Sequence, residues 1–467
     1  MKTILIKAKE YYETHKEHVV LLVVFLIYFF SRIWLFIQNG ERAFGYDTGI
    51  YRRHIHVYFE KLGESGVVPF GFTSLTNMLQ LLGEKPDHIL FFGYLFLSFL
   101  IFFAFYAIAR RYLGAKPALG AVLLFTVSVV QFEFFWWFYY RNFLALFIIL
   151  LIFLSLRLKS KMLPLFLFVL GVIHPLSLVP VAITLLVILL IQKEMRKYLI
   201  ITGISSGLAL LALNYREIRL YLPLLTEKRG LVKSTPVLEQ YEHTGQFISA
   251  SFFLKYIWYY LPFALVGLIR QWKKQRELFI FLCINVLLVL IGFLFYRRFF
   301  VYIDLVLILF SVDGIVWLWM KLKKRRTFLF VGFVIYFGFL GYVCGMYIAE
   351  KEPLISESEF FAIEKLQYYP EDALVMTVNS YYAPWLYGFS GHEVIAPGMF
   401  DRNEWDREQW STFWYARSTE DWEALFEKYV GSHLYIFLGE RDQFLAPFFL
   451  EYPACMQNDM YMWDCHL

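Results

Sequence analysis

A single carboxylate, Asp47, stands in the segment Gly45-Tyr46-Asp47-Thr48-Gly49-Ile50-Tyr51-Arg52-Arg53-His54. Behind it the apolar residues Ile50, Tyr51, Ile55, Tyr58, Phe59 and Leu62 recur at helical spacing, with Arg52, Arg53 and His56 off the stripe. That spacing predicts an amphipathic helix on a membrane surface, with Asp47 at its start. A carboxylate there can cap the helix, act as a general base or ligate a metal. A second acid, Glu133, lies among aromatic residues in Gln131-Phe132-Glu133-Phe134-Phe135-Trp136-Trp137. Charge in such a setting is costly unless solvated or paired. Arg141 and Asn142, about two helical turns on, are partners for it, and a snorkelling interfacial Glu is the simpler reading. Arg297 and Arg298 interrupt an apolar hairpin, and paired guanidiniums fork onto phosphate oxygens. Asp304, about two turns from Arg297, offers an ion pair as the alternative. His174 precedes Pro175 at a turn, where a hydrogen-bonded role is commoner than a catalytic one. The mixed-charge loop Asn214–Lys255 has the properties of a mobile lid, a docking loop or a plain connection.

The elements that must hold these groups are apolar. Of 467 residues 59% are hydrophobic and 18% charged, and the mean hydropathy is +0.53. A soluble globular chain is nearer 45–50% apolar, so the composition is that of a polytopic helical membrane protein. About eleven stretches approach the roughly 20 apolar residues that cross a bilayer. They run from Val19–Ile37 to Phe328–Ile348 and include Pro117–Val130 and Phe134–Leu156. Every second connection is rich in Lys and Arg, from the first 17 residues to Lys321–Arg326, which puts the N-terminus in the cytoplasm. The loops 39–87 and 214–255 and the chain after residue 348 then face outward. The formal net charge of +5 hides a division: residues 349–467 hold 21 acidic and 7 basic residues, and residues 1–348 hold 18 acidic and 37 basic. The boundary separates a membrane module, 1–348, from an acidic α/β domain, 349–467, in which Cys455 and Cys465 are positioned for a disulfide in an oxidising compartment. An acidic polar half argues against nucleic acid as a partner. Ionisable residues gather at the outer mouth, not at the midplane where a secondary transporter places them.

The order and sidedness of these segments resemble the GT-C class of integral-membrane glycosyltransferases, which includes protein O-mannosyltransferases, lipid A aminoarabinose transferases and oligosaccharyltransferase catalytic subunits. Gly45-Tyr46-Asp47-Thr48-Gly49-Ile50-Tyr51 looks like the first-loop acidic motif of that class, and Glu133 stands where several members carry a second acid. Arg297-Arg298-Phe299-Phe300 looks like the arginine turn that meets lipid phosphate. Tyr382-Ala383-Pro384-Trp385-Leu386-Tyr387-Gly388 and Val394-Ile395-Ala396-Pro397-Gly398 resemble segments of the outward domain of oligosaccharyltransferase-like or mannosyltransferase-like proteins. The Trp-Trp-Asp-Tyr-Gly signature of oligosaccharyltransferases is absent.

The resemblance implies a GT-C fold and an inverting transfer of a sugar from a polyprenyl-phosphate or diphosphate carrier. The acceptor would be a protein, glycan or lipid on the extracytoplasmic side of a plasma membrane. It implies that Arg297, Arg298 and Arg141 hold the phosphate, that Asp47 acts as base with Glu133 as a second acid, and that Tyr51, Arg52 and His174 line the groove. It leaves open a divalent cation, Mg2+ or Mn2+, on Asp47 and Glu133. The rival classes are a flippase for lipid-linked sugars and a non-catalytic membrane scaffold.

Overall fold

The computed structural model describes residues 2–40, 45–56, 70–213, 248–293, 296–322, 325–370, 372–397, 405, 407–416, 419–431 and 433–466. The first helix, α1 (Lys2–Asn39), is followed by α2 (Thr48–His56) and α3 (Phe70–Leu81). Next come α4 (Gly93–Leu113), α5 (Ala115–Thr126), α6 (Val129–Trp136), α7 (Tyr140–Leu158), α8 (Leu163–Ile173), α9 (Pro175–Ile191) and α10 (Arg196–Leu213). The second half of the bundle is α11 (Ala250–Ile257), α12 (Leu261–Gln271), α13 (Arg276–Leu290), α14 (Phe300–Lys321) and α15 (Arg326–Ala349). Most of loop 214–255, with Arg216, Lys228 and Glu242, lies outside the described residues, as do Tyr58, Phe59, Leu62 and Gly398.

Five helical segments among the described residues are long and apolar enough to cross a membrane, and the count reaches eight if each bent helix pair is one crossing. Hydropathy alone gives about eleven because it also counts α8, 11 residues long, and α13, 15 residues long, and takes α9 and α10, which meet at 115°, as two spans. Helices α5 and α6 meet at 52°, and α11 and α12 at 79°. The span expected over Phe134–Leu156 is interrupted: α6 ends at Trp136 and α7 begins at Tyr140, with Phe138 at φ 58° between them. A left-handed aromatic residue is strained and needs surrounding packing to hold it. Phe138 has it, buried against Tyr94, Phe91 and Tyr51.

Helix α14 is the axis of the bundle. It is apolar on every side, as a helix buried all round must be. Its fully buried acid is Asp304. Ser128 donates to it at 2.9 Å, Gln131 at 2.8 Å, and the Tyr260 hydroxyl also donates. An isolated carboxylate could not be buried there, and three donors answer its desolvation. They also tie α14 to the α5–α6 bend, because Ser128 caps α6 and Gln131 lies in its first turn. The expected partner of Asp304, Arg297, is not the one it has: Arg297 Nε donates to the Tyr296 hydroxyl at 3.3 Å. Helices α1 and α15 sit at the periphery and expose large apolar side chains such as Leu22, Phe30, Phe328 and Ile335, as lipid-facing helices do.

After Ala349 the chain builds a five-stranded sheet in the order β2-β1-β3-β5-β4. Its strands are β1 (Leu374–Thr377), β2 (Glu393–Ile395), β3 (His433–Phe437), β4 (Cys455–Gln457) and β5 (Met462–His466). The first three are parallel, and β5 runs antiparallel to β3 and to β4. Both faces are covered, which suits parallel strands. Val375 and Tyr435 face one apolar layer with α16 (Glu357–Lys365) and α17 (Ala383–Phe389). Met376 and Ile436 face the other, with α18 (Arg407–Tyr415), α19 (Thr419–Phe426) and α20 (Ala446–Glu451). Ser356 and Glu359 form the capping box that starts α16. Cys455 and Cys465 are joined in a disulfide across β4 and β5.

Candidate active site at the mouth of the bundle

The loop carrying Asp47 is fixed at both ends. Gly45 N donates to Trp136 O at 2.8 Å, and Tyr51 N donates to Asp47 O at 3.0 Å to begin α2. The Tyr46 hydroxyl reaches across the molecule to Ser380 O at 2.7 Å. Between these anchors the Asp47 carboxylate is buried, with Oδ2 3.9 Å from Arg298 Nη2. Burial pushes its pKa up, and the charges of Arg298 and then Arg141 oppose that rise. Arg298 also donates to Asn142 Oδ1 at 3.4 Å and lies over the Tyr139 ring. The Arg141 guanidinium faces the Tyr51 ring at 6.0 Å, and its Nε is buried with no hydrogen-bond partner among the described residues. One carboxylate thus shares a pocket with two guanidiniums. The α6–α7 break makes this possible, because the turn through Phe138 brings Arg141 to the loop side of the bundle.

The other residues expected at the site divide. Tyr51 belongs to it, buried between Arg141 and the rings of Phe72 and Tyr140. His174 is buried and caps α9: its Nδ1 accepts from Ser177 N at 3.2 Å and lies 2.6 Å from Ser177 Oγ. Ser177 continues to the Tyr302 hydroxyl at 2.5 Å, so His174 is a turn residue that supports the wall behind Arg298. Arg52 points elsewhere. Its Nη1 donates to Gly388 O at 2.6 Å and its Nε to Asp87 at 3.0 Å. Arg53 donates to Gly391 O at 3.4 Å. The helix expected on the membrane surface is instead enclosed by protein: Gly49 meets the backbone of Pro384 in α17, and Tyr51 and Ile55 of the stripe join the core of the bundle. Its stripe is apolar because it faces protein. His54, buried beside Tyr387, has its pKa lowered to about 3 by that burial, with Arg141 and Arg53 adding to the effect.

Glu133 is not paired with Arg141 or Asn142, because the chain turns before reaching them. Its Oε1 accepts from Trp137 Nε1 at 2.9 Å, and its Oε2 takes Lys351 Nζ at 2.7 Å and the Tyr347 hydroxyl. Burial lowers the pKa of Lys351, and Glu133 counters the fall. Sequence reasoning missed Lys351, the first cation after the last span, because topology alone gave it no role. With both Glu133 oxygens engaged and two arginines facing Asp47, the pair does not fit a Mg2+ or Mn2+ site. The Lys351–Glu133 pair instead locks the start of the C-terminal segment to α6. Lys351→Ala strands a buried carboxylate. We expect it to cost about 3 kcal/mol, read as a lower Tm in detergent, with Lys351→Ala/Glu133→Gln recovering most of the loss.

The bundle, the loop acid before a helix, and the α/β unit closing over them together define the GT-C fold. Solved structures share it. The archaeal oligosaccharyltransferase AglB of Archaeoglobus fulgidus, in complex with an inhibitory peptide and a dolichol-phosphate, superposes with a TM-score of 0.63 at 12% identity, covering 91% of this chain and 70% of that one. ArnT from Cupriavidus metallidurans, bound to undecaprenyl phosphate, matches with a TM-score of 0.54 at 10% identity, over 96% of this chain and 97% of that one. A structure of an Archaeoglobus fulgidus oligosaccharyltransferase in complex with Zn and sulfate also matches (TM-score 0.60, 13% identity, 90% of this chain and 68% of that one). No protein-family model and no curated protein sequence matches the chain.

Proposed function

We propose that this protein is a membrane glycosyltransferase that moves a sugar from a polyprenyl-phosphate-linked donor to an acceptor at the extracytoplasmic mouth of the bundle. The observation that carries this reading is the pocket of Asp47, Arg298 and Arg141, where two fixed positive charges face one carboxylate. Two guanidiniums so placed suit a phosphate. Guanidinium donors hold phosphate oxygens through charge-assisted hydrogen bonds, and they stabilise negative charge that grows on the leaving group. The alternation of basic connections supports the orientation. The dolichol-phosphate and undecaprenyl phosphate of the two structural neighbours support the donor class.

In this reading the acceptor hydroxyl or amide gives its proton to Asp47 as its oxygen or nitrogen bonds to the anomeric carbon. The bond from that carbon to the carrier phosphate breaks on the opposite face, so the sugar inverts, and the electron pair leaves with the phosphate against Arg298 and Arg141. Burial makes Asp47 a stronger base than an exposed Asp. The deciding experiment incubates purified protein with a panel of polyprenyl-phosphate sugars and measures sugar release or transfer. Release or transfer of one sugar supports the enzyme. Translocation of the intact lipid in vesicles without transfer overturns it in favour of a flippase. Arg298→Ala is expected to raise the donor KM by roughly 10–100-fold, the loss of one hydrogen bond to a charged group. With one opposing cation gone, Asp47 titrates higher, so the acid limb of the rate profile moves to higher pH. An unshifted limb would separate Arg298 from Asp47.

A further inference from the structure

At the opposite end of the sheet a second cluster stands apart from the mouth. His433 opens β3 and His466 closes β5, and the antiparallel register sets them directly opposite. Asp464, two residues before His466, shares their face by strand alternation. Nε2 of His433 lies 2.7 Å from Asp464 Oδ1, and Nε2 of His466 lies 3.6 Å from the same oxygen. One donor atom from each residue lies within 4.8 Å of the other two. The imidazoles stack at 4.6 Å between centroids, with planes 26° apart. The Nε2 atoms of both rings thus point at one carboxylate oxygen, an arrangement that a single bound cation can also occupy.

We propose that His433, Asp464 and His466 form a binding site for a zinc-class divalent ion. Two imidazoles and a carboxylate select zinc, cobalt, nickel or copper over magnesium and calcium. Metal–ligand bonds of about 2.0–2.2 Å set tetrahedral donors roughly 3.4 Å apart. The distances of 2.7 and 3.6 Å bracket that value. All three side chains reach solvent, so an ion has a route in and water can fill the fourth position. The site is remote from Asp47. The segment joined to the Asp47 loop, at Ser380, follows β1, which runs parallel to β3, whereas His433 is the first residue of β3. The ion therefore fastens strands and takes no part in the transfer. Strand β5 is already bound covalently to β4 through Cys465, and the metal would bind it to β3 on its other side.

The test uses the full chain in detergent, stripped with a chelator and titrated with ZnCl2 by calorimetry and with CoCl2 by visible absorption. We expect one equivalent of Zn2+ and a Zn2+-dependent rise in Tm, both lost in His433→Ala/His466→Ala and both retained in Asp47→Asn. If the double variant does not fold, His466→Gln alone, at a side chain 66% exposed, is expected to weaken Zn2+ binding at least tenfold. Binding by the variants equal to that of the unaltered chain, or none by the unaltered chain, overturns the proposal.

Discussion

Asp47→Asn is expected to lower the rate of sugar transfer by roughly 10^2–10^4-fold, the range a positioned general base supplies. The change is nearly isosteric, and it replaces a buried carboxylate with a neutral amide beside two arginines. Folding should survive because the anchors of the loop are not carried by the carboxylate: Gly45 N to Trp136 O, Tyr51 N to Asp47 O, and the Tyr46 hydroxyl to Ser380 O. The measurement is single-turnover transfer by the variant and the unaltered chain, with donor binding followed in parallel. Binding is expected to persist or tighten, because removing one negative charge leaves more positive potential for the carrier phosphate. Full activity in Asp47→Asn would remove Asp47 from the chemistry.

The second large effect concerns assembly. Gly49 on α2 and Gly388 on α17 lie backbone to backbone. A Cβ on Gly49 would fall on the Pro384 carbonyl, and one on Gly388 on the backbone of Gly49. Both obstacles are main chain and cannot rotate aside. Gly49→Val is therefore expected to force the helices apart and cost about 3 kcal/mol, the upper part of the range for overpacking. It also draws the Arg52 hook from Gly388 O and moves Asp47 relative to Arg298. Thermal melts should show the lower Tm, and transfer should fall with it. Ala at 388 should act in the same direction, and the two changes together should be less than additive because they disturb one contact. A Gly49→Val protein with unchanged Tm would show that the two helices do not meet.

Much of this was legible in the residues. Hydropathy located the apolar helices of the bundle, because a run of apolar side chains is a property of local sequence. Asp47 and Arg298, 251 positions apart, were each suspicious alone: one as an acid at a helix start, the other as a basic residue where topology required none. Their pairing was not legible, since it depends on how α14 packs. The apolar stripe of α2 was read toward lipid and Arg52 toward the groove, whereas Tyr51 and Ile55 pack into the bundle and Arg52 hooks onto α17, and sequence periodicity marks a buried face without naming what covers it. The misplaced partners of Glu133 came from assuming an unbroken helix through Phe138. Nothing in Phe132–Asn142 signals the turn, because no Gly or Pro stands there. Asp304 was seen as a charge to be paired, but its donors Ser128, Gln131 and Tyr260 carry no charge and leave no trace in a count of ions.

The bond from Tyr46 to Ser380 spans 334 positions of sequence. On a ribosome moving at about 5–20 residues per second, roughly 20 to 70 seconds separate the two partners. Through that interval the nascent chain can thread its helices into the bilayer one after another while the Asp47 loop still lacks its clamp. Maturation of the mouth thus waits on synthesis of the segment that follows the bundle. A chain released early, at Ala349 for example, would carry the bundle without the clamp on its Asp47 loop.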